Sequence, residues 1–120
     1  MKFEFDDDKP IYKQLVEMLK LEIVLGNFKS GEKLPSVREL SSMIRVNPNT
    51  IQRSLSELEQ DGLIYTKRTS GKFVTEDENI IHQVKKELAT RKIDNFINDM
   101  NILGLDKDEV MKLLKERKTT

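Results

Sequence analysis

The stretch Ser36-Val37-Arg38-Glu39-Leu40-Ser41-Ser42-Met43-Ile44-Arg45-Val46-Asn47-Pro48-Asn49-Thr50-Ile51-Gln52-Arg53 decides the fold. Ser36 and Glu39 stand at capping-box spacing. The Ser36 hydroxyl can accept from the Glu39 N–H while the Glu39 carboxylate accepts from the Ser36 N–H. This opens a helix from about Val37 to Ile44, with Leu40, Met43 and Ile44 as its buried face. Asn47 is a good N-cap, and Pro48 suits a first helical position because its missing N–H would be unpaired there. A second helix then runs to about Gln60, with Ile51, Leu55 and Leu58 inward, until Asp61-Gly62 stops it. Only Arg45, Val46 and the cap separate the two helices, which makes the pair a helix-turn-helix.

Such a unit reads DNA when its second helix turns one face to the core and the opposite face to the major groove. With Ile51, Leu55 and Leu58 inward at about 100° per residue, Asn49, Gln52, Arg53 and Ser56 point away. Amides pair with adenine, and Arg with guanine or phosphate. A solvated polar face would look the same in isolation, so the flanking segments matter. Leu63-Ile64-Tyr65-Thr66-Lys67 and Lys72-Phe73-Val74-Thr75 have β-branched and aromatic character, and Thr69-Ser70-Gly71 between them is a turn. This hairpin is a wing. Lys67, Arg68 and Lys72 flank its tip and could follow phosphates while Ser70 and Gly71 enter the minor groove. Arg38, in the first turn of the preceding helix, could meet a phosphate or a base edge.

Upstream, a helix from about Pro10 to Leu25 carries Ile11, Leu15, Leu19 and Ile23 on one stripe and ends at Gly26-Asn27. Asp6-Asp7-Asp8 lies where negative charge meets a positive helix end. Downstream, from about Asp77, Ile81, Val84 and Leu88 start an apolar stripe. Ile93, Phe96, Ile97, Met100 and Leu103 continue it on a shifted face. Gly104 caps that helix. Asp106 and Glu109 form another capping box, opening a last helix with Val110, Leu113 and Leu114. The fold class is mainly α with a small β-hairpin. The expected organisation is a winged helix-turn-helix over residues 1–75 and a two-helix dimerisation tail over residues 76–120, with those eleven apolar residues at the subunit contact.

Composition is consistent with this. The chain has 120 residues, 35% of them charged, and a formal net charge of zero. The charge is unevenly distributed: residues 28–75 hold eight Lys/Arg against five Asp/Glu, whereas both flanks are net acidic. Nucleic-acid binding depends on such a local basic region. There is no cysteine, which excludes disulfides, thiol nucleophiles and zinc–thiolate sites. No apolar run approaches a membrane span, and the acidic start does not resemble a signal peptide, so a cytoplasmic protein is expected. No phosphate-binding glycine loop, nucleophile elbow or Cys/His pair is present, so no enzyme and no cofactor are expected. His82 is the only histidine and no metal site is expected around it. The rival from another class is a winged-helix protein–protein adaptor. That role calls for an apolar or acidic outward face where this one is rich in amide and Arg.

Three strings resemble the GntR family of bacterial regulators: Gly31-Glu32-Lys33-Leu34-Pro35-Ser36-Val37-Arg38-Glu39-Leu40, Val46-Asn47-Pro48-Asn49-Thr50-Ile51-Gln52-Arg53, and Glu57-Leu58-Glu59-Gln60-Asp61-Gly62-Leu63-Ile64. Pro10-Ile11-Tyr12-Lys13-Gln14-Leu15 resembles the family's first helix. The resemblance spans roughly residues 9–75, and the Val-Asn-Pro-Asn-Thr string with the short tail is similar to the YtrA-like subfamily. It implies DNA contacts at Arg38, Asn47, Asn49, Thr50, Gln52, Arg53 and Gly71. The apolar stripes of the tail call for a two-fold dimer and hence an inverted-repeat operator, and the subfamily resemblance implies repression of a transporter-type operon. Two departures stand out. Arg45 occupies a turn position where the family usually has Gly, so either the turn is adjusted or Arg45 reaches a phosphate. Thr69 replaces the first Gly of the usual wing motif. About 45 residues follow the wing, too few to enclose a drug-sized pocket within one subunit. A small effector could still bind between subunits, and its identity is not encoded in any motif.

Overall fold

The computed structural model describes residues 4–117; the outermost ends of the two expected segments, residues 1–3 and 118–120, lie outside the described residues. The elements are α1 (Ile11–Val24), α2 (Val37–Ile44), α3 (Pro48–Gln60), β1 (Ile64–Lys67), β2 (Gly71–Val74), α4 (Glu78–Ile102) and α5 (Lys107–Glu116). This is the expected mainly helical winged fold. The chain forms two compact units, one through Lys85 and one from Lys86, with the division inside α4.

In the first unit α3 is central and packs against α1, α2 and β1. Its inward residues Ile51, Leu55 and Leu58 are fully buried, together with Leu15 and Leu19 of α1, Leu40 of α2, and Leu63, Ile64 and Val74 of the hairpin. Two expected core positions differ. Met43 is 49% exposed, because α2 is short and Leu40 and Ile44 already cover its inner side. Ile11 lies at the open end of α1 and is 37% exposed, while Val16 is buried instead. Pro10 is the N-cap of α1 rather than its first helical residue, with ψ of 130°. The Gln14 side chain secures that start from within the helix. Its amide donates to the carbonyls of Asp6 and Lys9 and its oxygen accepts from the Asp6 N–H.

The sheet pairs Ile64 with Val74, Tyr65 with Phe73, Thr66 with Lys72 and Lys67 with Gly71. A third backbone segment, not foreseen from the sequence, runs along the outer side of β2. Lys33 lies opposite Phe73, the Leu34 N–H donates to the Lys72 carbonyl and the Val74 N–H to the Glu32 carbonyl. The string before α2 thereby braces the wing.

The second unit holds α4 from Lys86 onward, a turn at Gly104 (φ 85°) and α5. The capping box of Asp106 and Glu109 forms as expected, at 2.9 and 3.2 Å. Among the described residues no helix is long and apolar enough to cross a membrane.

Candidate nucleic-acid interface

The helix-turn-helix is locked by local hydrogen bonds. The Ser36–Glu39 capping box forms with both bonds, at 3.0 and 3.1 Å. The Glu39 carboxyl is held below its ordinary pKa, by the Ser36 backbone N–H first and by the nearby Ser36 hydroxyl next. Arg45 takes the left-handed conformation, φ 61° and ψ 49°. The turn is therefore not adjusted to suit the Arg; the Arg accepts the conformation that favours Gly, at a cost of roughly 1–2 kcal/mol. Its N–H donates to the Ser41 carbonyl at 2.9 Å, and the Ser41 hydroxyl donates across the turn to the Val46 carbonyl at 2.6 Å.

α3 begins at Asn47, whose side chain accepts from the Asn49 N–H at 2.8 Å. Asn47 is itself exposed. Asn49, Gln52 and Arg53 are exposed and Thr50 is half-buried. The Arg53 guanidinium stacks on the Tyr12 ring of α1, 3.7 Å from the centroid. Next to it, Ser54 is completely buried and donates to the Thr50 carbonyl at 2.9 Å and the Tyr12 carbonyl at 3.3 Å. Ser54 is a polar residue on the inner stripe that sequence reasoning passed over. Its small size lets the α1 backbone come close enough to α3 for Tyr12 to reach Arg53. The signal was a small residue where an apolar one would complete the stripe.

The hairpin divides its basic residues between two faces, because side chains alternate along a strand. Tyr65, Lys67 and Phe73 share one face: the rings stack at 5.8 Å and the Lys67 ammonium lies 4.6 Å from the Phe73 centroid. Thr66 and Lys72 share the other. There the Lys72 ammonium pairs with Glu59 of α3 at 2.8 Å and reaches the Thr66 hydroxyl at 2.9 Å, and that hydroxyl donates to Glu59. The Lys72 contact, then the Thr66 bond, lower the Glu59 pKa. The sequence groups Lys72 with Lys67 and Arg68 at the wing tip; the structure turns it toward α3 and pairs it internally. Lys67, Arg68, Ser70 and Gly71 are all exposed, as is Arg38 at the start of α2.

The tail residues also separate. Val84 and Val110 are buried within the chain, at 5% and 2% exposure, so neither offers contact surface. Ile81, Leu88, Ile97 and Met100 are half-buried. Ile93, Phe96, Leu103, Leu113 and Leu114 are exposed at 39–69%. In the second unit Ile93, Phe96, Ile97, Met111 and Leu114 line an open cleft of about 690 Å³ between α4 and α5.

Residues 11–74 match the family described as "Bacterial regulatory proteins, gntR family". The chain belongs to the GntR family. Two relatives are from Bacillus subtilis (strain 168). The uncharacterized HTH-type transcriptional regulator YhcF is 38% identical over 112 residues, 93% of either chain. The HTH-type transcriptional repressor YtrA is 33% identical over 108 residues, 89% of this chain and 83% of YtrA. Among solved structures, a GntR family transcriptional regulator from Listeria monocytogenes superimposes with a TM-score of 0.85 at 46% identity, covering 95% of this chain and all of that one. The AraR(DBD) solved in complex with operator ORX1 matches at TM-score 0.54 and 26% identity, covering 62% of this chain and 92% of that one. The GntR chain described here is thus a bacterial, YtrA-like DNA-binding transcriptional regulator, and not an enzyme.

Proposed function

We propose that this regulator acts as a dimeric cytoplasmic repressor, binding an inverted-repeat operator that controls a transporter-type operon. The observation that carries DNA reading is the face of α3 opposite its buried stripe. Asn49 and Gln52 are exposed amides close to the helix start, with Arg53 beside them. The amides read base edges, and bidentate pairing with adenine suits both. Arg38, Arg53, Lys67 and Arg68 meet phosphates, Asn47 and Thr50 add polar contacts at the start of α3, and Ser70 and Gly71 approach the minor groove. The repressor role draws support from the likeness to YtrA.

Dimerisation rests on the exposed apolar residues Ile93, Phe96 and Leu114 at the α4–α5 cleft, with Leu113 also exposed on α5. An apolar patch of this kind, left to water on a free monomer, marks an interaction surface. A two-fold dimer requires a two-fold symmetric operator. The test is selection of duplexes from a randomised library, followed by sedimentation of the free protein and of its complex. The expected result is an inverted repeat bound by two chains, and a Phe96→Glu variant that sediments as a monomer with weakened operator binding. A full-length monomer binding a non-symmetric site tightly would refute the dimeric reading.

A further inference from the structure

We infer that Lys33 is a DNA-backbone contact of the wing, acting beside Lys67 in the place that Lys72 does not fill. The inference rests on the DNA-binding reading above. It starts from Gly71. This residue has φ of 111°, and a Cβ there would stand 3.1 Å from Cε and 3.9 Å from Nζ of Lys33. The Lys33 side chain therefore extends across the Gly71 backbone, in the space a side chain at position 71 would occupy.

Lys33 lies directly opposite Phe73 of β2, with hydrogen bonds at Leu34 and Val74 on either side of the pair. This is the narrow kind of antiparallel pair, in which the two side chains project from the same face. Phe73 pairs on its other side with Tyr65, and the Lys67 ammonium lies over the Phe73 ring. Lys67 in turn pairs with Gly71. Lys33, Phe73 and Tyr65 thus make a row across three backbone segments, with Gly71 and Lys67 in the next row toward the wing tip. Two exposed lysines share this aromatic face, and the glycine between them leaves the room that the Lys33 side chain takes. On the opposite face the Lys72 ammonium is paired with Glu59 and Thr66. A phosphate approaching the aromatic face meets two cations. One approaching the other face meets a neutralised pair.

The experiment uses full-length protein and one duplex selected by the unmutated chain. Affinity is measured across a salt series for Lys33→Met, Lys33→Arg and Lys72→Met. Methionine keeps an apolar stem over Gly71 while removing the charge. Each phosphate neutralised contributes about 0.9 to the slope of log affinity against log salt. Lys33→Met is expected to lower the slope by about 0.9 per subunit and to weaken binding roughly five- to tenfold per subunit near 0.1 M salt. The ranking of single-base duplex variants should stay unchanged. Lys33→Arg should retain the slope, and Lys72→Met should leave it within a few tenths of the unmutated value. A Lys33→Met slope equal to the unmutated one overturns the inference, as does a Lys72→Met loss as large as that expected of Lys33→Met. Failure of the unmutated chain to bind any duplex overturns the regulatory reading itself, and this inference with it.

Discussion

Arg53 of the recognition helix rests its guanidinium on the ring of Tyr12 in α1, 3.7 Å from the centroid. The contact exists because Ser54 is small, buried and hydrogen-bonded to the Tyr12 carbonyl, which brings the two helices together at this point. A guanidinium stacked by its face keeps its N–H edges available for a phosphate and loses rotamer freedom before DNA arrives. An exposed stack of this kind is worth about 0.5–1 kcal/mol.

The first prediction follows from that stack. Tyr12→Leu should weaken duplex binding by about 0.5–1 kcal/mol, and Tyr12→Phe should leave it nearly unchanged. In an Arg53→Ala background the cost of Tyr12→Leu should disappear, as a double-mutant cycle would show. Equal losses from Tyr12→Leu in both backgrounds would mean that Tyr12 acts through folding alone.

Sequence reading and simple holding can be separated on α3. Gln52→Ala and Asn49→Ala should each cost about 1–3 kcal/mol on the selected operator and relax preference at one base pair per half-site. Arg53→Ala should weaken all sequences alike and reduce the salt slope by about one per subunit. A panel of single-base operator variants at fixed salt measures both effects. An unchanged ranking with Gln52→Ala and Asn49→Ala would move base reading to Arg38 or the wing.

Arg45 sits in left-handed backbone, φ 61° and ψ 49°. Glycine relieves that cost but adds freedom to the unfolded chain. Arg45→Gly should therefore raise stability by up to about 1 kcal/mol in chemical denaturation, and Arg45→Ala should raise it little, since it keeps the Cβ. If Arg45→Gly also weakens duplex binding and flattens the salt slope, the Arg has a phosphate contact that offsets its conformational cost.

The Glu59 carboxyl titrates below its ordinary value of 4.5, through Lys72 first and then Thr66. A carboxyl with a depressed folded pKa stabilises the folded state above its unfolded pKa, and the stabilisation is lost as pH falls through the folded value. The melting temperature of the unmutated chain should therefore exceed that of Glu59→Gln at neutral pH. The gap should narrow as pH drops below about 4.5. The effect should be small, because Glu59 is substantially exposed and water screens the pair. A gap constant from neutral to acid pH would show that the tie between wing and helix does not depend on charge.

Much of this site was legible from local chemistry. Ser36 with Glu39, Asn47 with Pro48, and Asp106 with Glu109 announce helix starts whose partners lie within a few residues, and α2 and α3 form over the expected ranges. Met43 was not legible as exposed, because an apolar residue on a two-turn helix does not reveal how much of that helix its neighbours cover. The division of the wing between a Lys67 face and a Lys72 face follows from strand alternation only once the register of Thr66 against Lys72 is known.

The sequence by itself determined the order of elements, the tight helix-turn-helix, the inward stripe of Ile51, Leu55 and Leu58, and the family, because caps, periodicity and motif spacing act over a few residues. Only the tertiary structure decided which cations stay available. Lys72 is paired by Glu59, thirteen residues earlier. Lys33 reaches Gly71 because the segment before α2 runs beside β2. Arg53 is steadied by Tyr12 from another helix. Charge and hydrogen bonding depend on distance in space, and the distances between these residues are set by how α1, α3 and the wing pack, which no local pattern encodes.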